Sequence, residues 1–330
     1  MSKSDAKQKV SGNTIESAFA AAGIEPCEIR ELTRLDPRIT AGYILLQWAL
    51  IVAAALLCWH FWHPLLYLVT VVFIGARQHD LATMVHEAAH YRFARNRRLN
   101  DWLGEAMSWP FVILSMRTYR QHHGAHHRYL NTDRDPDWIY KQDDSEWRFP
   151  MSRTKLGLVL LGDMLGIGLV KTFIRTLHLT RPQTARVLPD ATALRIARVV
   201  FLAIALSLII VFDLGAAVAL FWLVPFVTWL QVCLRLRSIA EHFAFDTSHD
   251  RPHSRSVMLT WLDRALVLSN DTSLHGEHHL YPSVPFYRLR DLHELLVRSP
   301  DYRHGIELTR GYWSVVKAAL GRSASIGVPS

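Results

Sequence analysis

Nine of the eighteen histidines in this chain fall into three clusters and one isolated position. His86 and His90 stand four apart; His123, His126 and His127 form H-x-x-H-H; His275, His278 and His279 repeat that pattern; His242 follows Glu241. On an α-helix, residues three and four apart share a face, so each cluster can aim its imidazoles at a common target. Imidazole is a borderline ligand that suits iron, zinc, copper or nickel. Nine such ligands exceed the shell of a single ion, and two ions are expected.

The elements that must carry these rings are apolar. Half of the 330 residues are hydrophobic, although the net charge is +8. The apolar residues gather in four blocks, 41–62, 64–85, 194–212 and 214–236, each close to the roughly 20 residues that cross a bilayer. Short connections at His60–Pro64 and Asp213–Gly215 contain no Lys or Arg, whereas Lys3, Lys7, Lys9, Arg38, Arg92, Arg95, Arg97, Arg98, Arg235, Arg237 and Arg251 flank the other ends. The excess of positive charge on one side places both termini and the long middle segment in the cytoplasm. From Pro64 to His86 a helix rises about 33 Å, and from Gly215 to His242 about 40 Å, so both helices carry their histidines just past the hydrocarbon. The expected fold is an all-α integral membrane protein: four transmembrane helices in two hairpins, with a cytoplasmic helical cap holding a histidine-rich di-metal site. Residues 1–40 read as a cytoplasmic N-terminal segment, 41–297 as the membrane domain and 298–330 as a C-terminal cytoplasmic tail. Trp102–Met116 and Leu156–Leu177, apolar but interrupted, read as amphipathic helices at the interface. Pro285–Val297 and Gly311–Leu320 read as short amphipathic helices, and the residues after Arg322 as a disordered end.

The basic charge lies beside the spans and not in a dedicated domain, which argues against a nucleic-acid binder. Residues 1–25 lack an apolar core before a small-residue cleavage site, so no secretory leader is expected. Cys27, Cys58 and Cys233 are far apart and form neither a disulfide framework nor an iron–sulfur motif.

Other histidines carry weaker signals. His60 and His63 fall in a connection; His178, His293 and His304 lack clustered partners; Pro252 separates His249 from His253. His79 lies one heptad before His86 on the same face, as a supporting residue. His122, four residues before His126, is the alternative to His123 as a ligand. Two rival functions use the same residues. His86-Glu87-x-x-His90 matches the zinc-protease motif with Glu87 as general base, but it leaves the other clusters unused. A non-catalytic metal or haem protein would place ionisable or isolated histidine groups inside the spans, which carry little beyond Gln47, Gln231 and Arg235.

Taken together, His86-Glu-Ala-Ala-His90, Arg120-Gln-His-His-Gly-Ala-His-His127 leading to Asp133-Arg-Asp-Pro-Asp137, Glu241-His242 and His275-Gly-Glu-His-His-Leu-Tyr-Pro282 resemble the membrane fatty-acid desaturase and hydroxylase superfamily. The resemblance extends over about 75–296 and is strongest to the bacterial dihydrorhizobitoxine-desaturase-like subgroup. It implies two iron ions held by the nine histidines, O2 as co-substrate, and desaturation of an acyl lipid or fatty acid. Hydroxylation and alkene-forming decarboxylation are alternatives on the same scaffold. Some members have four residues inside the first box where this chain has three, and others place Asn where this chain has Ser238, which bears on how a water beside one iron is held.

Imidazole-only ligation is neutral, so nearby carboxylates matter for charge and ring orientation. Glu241 and Asp137 are the preferred partners for the far ring nitrogens, with Glu87, Asp135 and Glu277 also within or beside the boxes. The oxidation needs two external electrons per O2, and the chain has no haem-attachment motif, cysteine cluster or G-x-G-x-x-G. A separate donor of ferredoxin, rubredoxin or cytochrome type is expected at the basic run Arg92–Arg98. The implied location is multi-pass in a bacterial cytoplasmic membrane, with the polar head of the substrate near Arg117 or Arg120.

Overall fold

Proline opens both of the first two long helices, where its missing N–H costs nothing. In the computed structural model, which describes residues 22–111, 115–139, 141–179, 192–245 and 254–321, helix α1 (Pro26–Leu32) precedes α2 (Pro37–His60), and α3 spans Pro64–Ala89. Asp36 caps α2 by accepting from the Arg38 amide, and His63 caps α3 by accepting from the Leu65 amide. α2 and α3 pack along one another through Ile51, Cys58, Ile74 and Leu81.

Helices α4 (Arg97–Ser108) and α5 (Met116–Tyr129) follow, then the short α6 (Pro136–Ile139) and the pair α7 (Arg153–Met164) and α8 (Ile167–Leu179), bent by 77°. α9 (Thr192–Val211) has no buried residue. The next long helix, α10 (Gly215–His242), is broken. A π-helical stretch at Ala219–Leu223 and a break at Thr228 bracket Pro225, which has no N–H to give the helical ladder. α3 and α10 cross closely at Gly75, where a Cβ would stand 2.8 Å from that of Trp229.

Among the described residues four helices, α2, α3, α9 and α10, are long and apolar enough to cross a membrane, and the bent pair α7–α8 would add a fifth if it counted as one span. They match the four apolar blocks, but α3 and α10 run several residues further than 85 and 236. Their polar upper turns are buried by the remaining segments, so hydropathy ends before the helix does. In α3, Arg77, Gln78, His79, Asp80, His86 and Glu87 are all buried.

The rest of the chain gathers over the C-terminal ends of α3 and α10. Strand β1 (Arg255–Met258) is followed by α11 (Trp261–Leu266), α12 (His275–Leu280), α13 (Leu289–Leu296) and α14 (Pro300–Gly305). Strand β2 (Glu307–Arg310) and α15 (Gly311–Ala319) complete the described chain. β1 and β2 pair in parallel, with Arg255 opposite Glu307 and Met258 opposite Arg310. This two-stranded sheet departs from an all-α expectation; four-residue strands are too short to show a period in sequence. α15 seals the upper half of α10 through Tyr312, Val315 and Ala319, and Ile24, just before α1, packs with Ile29 of α1 in one cluster with Leu292 and Leu296 of α13.

Candidate metal centre

Four elements bring the nine clustered histidines together. α3 supplies His86 in its last turn and His90 as its C-cap; α5 supplies His123, His126 and His127; His242 ends α10; α12 supplies His275, His278 and His279. The rings form two groups, His86, His90, His123, His127 and His278 in one, and His126, His242, His275 and His279 in the other. Within each group the available ring nitrogens lie within 4.8 Å of one another.

This grouping corrects the expectation that each sequence cluster serves one target. Each H-x-x-H-H is divided: His123 and His127 join the first group while His126 joins the second, and His275 and His279 join the second while His278 joins the first. Helix geometry explains the division. Residues four apart are nearly aligned, whereas the residue three along is turned to the other side, so one short helix serves two sites at once.

The nitrogens converge as ligands do. His123 Nε2 stands 2.8 Å from His90 Nε2 and 3.0 Å from His127 Nε2, and His278 Nε2 is 3.2 Å from His127 Nε2. In the second group His275 Nε2 is 3.1 Å from both His242 Nε2 and His279 Nε2. Two nitrogens at right angles, each about 2.1 Å from one ion, would be about 3.0 Å apart. His86 Nε2 is buried without a hydrogen-bond partner, as a ligand awaiting its ion would be. The residues therefore fit two metal ions.

Electrostatics agree. Burial, reinforced by neighbouring rings, holds His123, His275, His278 and His279 well below the usual imidazole range. Burial brings His90 down to about 4 and His127 to about 3, so both are neutral and free to ligate at pH 7. His126 differs. Burial opposes its protonation, but the hydrogen bond to Asp135 and the charge of Asp137 raise it above the ordinary value.

Carboxylates stand behind several rings. Asp135 accepts from His126 Nδ1 at 3.0 Å and is itself fixed by the amides of Asn131 and Asp137. Asp137 is further away, 3.7 Å from His126 Nδ1 and 3.8 Å from His122 Nε2. Glu241 lies 3.3 Å from His275 Nδ1 and accepts from Arg237 at 2.6 Å. Glu87 lies 3.4 Å from His86 Nδ1 and accepts the Phe286 amide at 2.9 Å. It sits on the back of the ring and is buried there, which is no place for the general base of a zinc protease.

Several other histidines are placed elsewhere. His122 is outside both groups, whereas its alternative, His123, is inside. His79 turns to the Val267 carbonyl at 2.8 Å, and His304 bonds the Pro300 carbonyl on the surface. His63 serves as a helix cap. His249 and His253 lie outside the described residues, as do Arg251 and the residues after 321.

Two residues have roles beside the site that their sequence context did not give them: His293, which lacks clustered partners, and Lys141. His293 is buried with Nδ1 2.5 Å from Glu277, whose other oxygen accepts from Ser256, so it braces α12 from behind. Its only sequence signal is a place on the apolar face of α13. Lys141 donates to Ser238 at 2.7 Å, one turn before His242, and lines a recess with His126, Asn131, Asp137, Trp138 and His242. No pattern announced it.

The family described as fatty acid desaturase matches residues 62–311. The chain is 28% identical over 293 residues to dihydrorhizobitoxine desaturase of Bradyrhizobium elkanii, covering 83% of this chain and 80% of that protein. It is 25% identical over 327 residues to the sn-1 acyl-lipid omega-3 desaturase (ferredoxin) of Synechocystis sp., covering 91% and 86%. With the sphingolipid delta(4)-desaturase/C4-monooxygenase of Homo sapiens it shares 27% identity over 296 residues, covering 83% and 78%.

Proposed function

Because this chain belongs to the fatty acid desaturase family, we propose that it removes two vicinal hydrogens from the chain of an acyl lipid or fatty acid, at a di-iron centre held by its nine clustered histidines. The observation that carries this reading is the division of those histidines into groups of five and four. Five imidazoles exceed the four ligands of a structural zinc site. The family supplies the choice of iron.

When bound, the two irons supply reductive activation of O2 and oxidation of an unactivated C–H bond. The protein's residues hold this chemistry in place. The depressed basicity of His90, His123, His127, His275, His278 and His279 keeps their rings neutral and coordinating. Asp135, Glu87 and Glu241 face the far nitrogens of His126, His86 and His275, which fixes ring orientation and offsets the charge of the ions.

The helices α2–α3 and α9–α10 form two membrane hairpins, with both termini and the histidines on the cytoplasmic side. The centre then lies at the bilayer edge, where an acyl chain arrives directly from the lipid. Burial of such a chain contributes about 0.8 kcal/mol per methylene. The polar head of the substrate lies near Arg117, which is exposed, or Arg120, which also bonds Asp101 and the Ala88 and Ala89 carbonyls. Electrons come from a separate acidic donor of ferredoxin type. The basic run offers Arg95, Arg97 and Arg98 on the surface, while Arg92 is half-buried and bonds the His90 and Ser283 carbonyls.

The test is expression with a ferredoxin system, followed by mass spectrometry of lipids and headspace and iron analysis of the purified protein. A new double bond with two irons per chain supports the proposal. An inserted hydroxyl or a terminal alkene would reassign the outcome of the same chemistry. Oxidation of a soluble metabolite with no change in any lipid would overturn the acyl assignment.

A further inference from the structure

We propose that the layer over the histidines is not perched on the bilayer but sunk into it: the elbow between α7 and α8 and helix α11 are wedges in contact with the acyl chains of the same leaflet. This rests on the membrane reading above, with Pro64, Gly215 and Val211 at the opposite interface.

Depth follows from the residues to which each wedge is tied. The turn after α4, with Trp109 and Phe111 buried by protein, marks how deep the layer reaches: its Pro110 carbonyl accepts from Trp222 Nε1 at 3.3 Å, and Trp222 lies seven residues beyond Gly215, about 10 Å up the helix. The Trp109 ring meets that of Phe201 at 5.1 Å, and Phe201 is ten residues from Val211, about 15 Å. A Cβ at Gly166, in the α7–α8 elbow, would stand 3.5 Å from the Val227 carbonyl, a level of about 18 Å. The Leu266 carbonyl at the end of α11 accepts from Trp229 Nε1 at 2.7 Å, and the Arg264 carbonyl from Arg77 Nη2 at 2.6 Å, both levels of about 20 Å. The hydrocarbon is about 30 Å thick. Both wedges and the turn after α4 lie inside it, and helix tilt or the break in α10 only lowers them further.

Two independent features agree. Backbone inside hydrocarbon must have its polar groups satisfied by protein. The carbonyls of Pro110, Arg264, Leu266 and Val267 are each taken by a side chain of a spanning helix, Trp222, Arg77, Trp229 and His79. The wedges also sort by depth. Asp163, at the root of the α7–α8 elbow, pairs with Arg235, which is about 30 Å from Gly215 and so at the boundary. The tip beneath it exposes Leu165 at 68% and Ile167 at 48%. α11 likewise exposes Trp261 at 76%, and Trp313 beside it is 68% exposed, held there by the bond from the Tyr312 amide to Asp263. A patch of this kind on a water-facing layer would be an aggregation liability; against acyl chains it is the expected surface.

The experiment uses full-length protein in liposomes, with Cys27→Ser as background, since Cys58 and Cys233 are buried. A nitroxide is placed by Leu165→Cys or Leu266→Cys, with Leu206→Cys in α9 as the lipid reference and Glu294→Cys on the exposed side of α13 as the water reference. Oxygen concentrates in hydrocarbon and a polar nickel chelate is excluded, so the ratio of accessibility to the two at 165 and 266 is expected to match that at 206 and exceed that at 294 about tenfold. Ratios at 165 and 266 that match 294, with 206 still lipid-like, would overturn the wedges and leave the membrane reading standing. A water-like ratio at 206 would overturn both. Should labelling at 266 disturb folding, quenching of Trp261 by brominated acyl chains, read as the difference from Trp261→Phe, gives the same decision.

Discussion

His126 donates from Nδ1 to Asp135 at 3.0 Å, and that contact reverses the electrostatics of its ring: burial lowers neighbouring His90, His123 and His127, while Asp135 and Asp137 hold His126 above the ordinary imidazole value. A ring fixed this way presents Nε2 to the second histidine group in one orientation. Asp135→Asn keeps the shape and removes the charge. The expected outcome is a 10- to 100-fold weaker metal affinity at the four-histidine group. Metal analysis after dialysis against graded chelator checks this, and unchanged retention of both ions would contradict the role.

The two groups also predict which variants behave alike. His123→Ala or His127→Ala should empty the five-nitrogen group first, and His126→Ala or His279→Ala the four-nitrogen group, although each should abolish turnover. His304→Ala and His122→Ala should retain both metal and activity. Mössbauer spectra of iron-57-loaded variants distinguish the two patterns. Full turnover with normal iron in His126→Ala would end the two-metal assignment.

Acid should destabilise the metal-free protein before it protonates the site. His90 and His127 titrate at about 4 and about 3 in the fold, against about 6.5 in an unfolded chain. Between those values the unfolded state binds protons that the folded state does not, so stability is present above about pH 6.5 and falls as pH drops. Each such ring costs about 1.4 kcal/mol per pH unit across that window. Melting temperatures of the apoprotein in detergent at pH 8 and pH 5 test the sign; a higher value at pH 5 would refute it.

Arg235 and Asp163 form a buried ion pair, with Nε–Oδ2 at 2.7 Å and Nη2–Oδ1 at 3.0 Å, that joins α7 to α10. Asp163→Asn removes the closer of two carboxylates and leaves Arg235 with Glu146 at 3.2 Å, so it should destabilise by about 1.5–3 kcal/mol. Arg235→Met combined with Asp163→Leu should recover most of that loss. Chelator-free thermal unfolding of the three proteins measures the difference.

Electron delivery should depend on salt. Arg95, Arg97 and Arg98 are exposed on one short stretch, and an acidic donor steered to them loses rate as ionic strength shortens the range of the field. Replacing all three with Gln should lower the donor-dependent kcat/KM and flatten its salt dependence. Turnover of the purified protein with NADH alone would remove the need for a donor.

The sequence by itself determined which residues meet and which segments are apolar. Clustered imidazoles and blocks of hydrophobic residues are local properties, written in spacing and composition, and the nine histidines and four long helices can be read from them. What the tertiary structure decided is how those residues are shared. Spacing on a helix turns His126 and His278 away from their cluster mates, but which group each then joins follows from the docking of α5 against α12. Asp135 rather than Asp137 stands at the closer distance because the turn after α5 brings residue 135 back beneath residue 126. Lys141 and the two short strands carry no periodic signal at all, and His293 has only its place on the apolar face of α13. Hydropathy ended α3 and α10 early for a related reason: their polar upper turns are buried by protein, and burial by distant segments leaves no mark on the residues it covers.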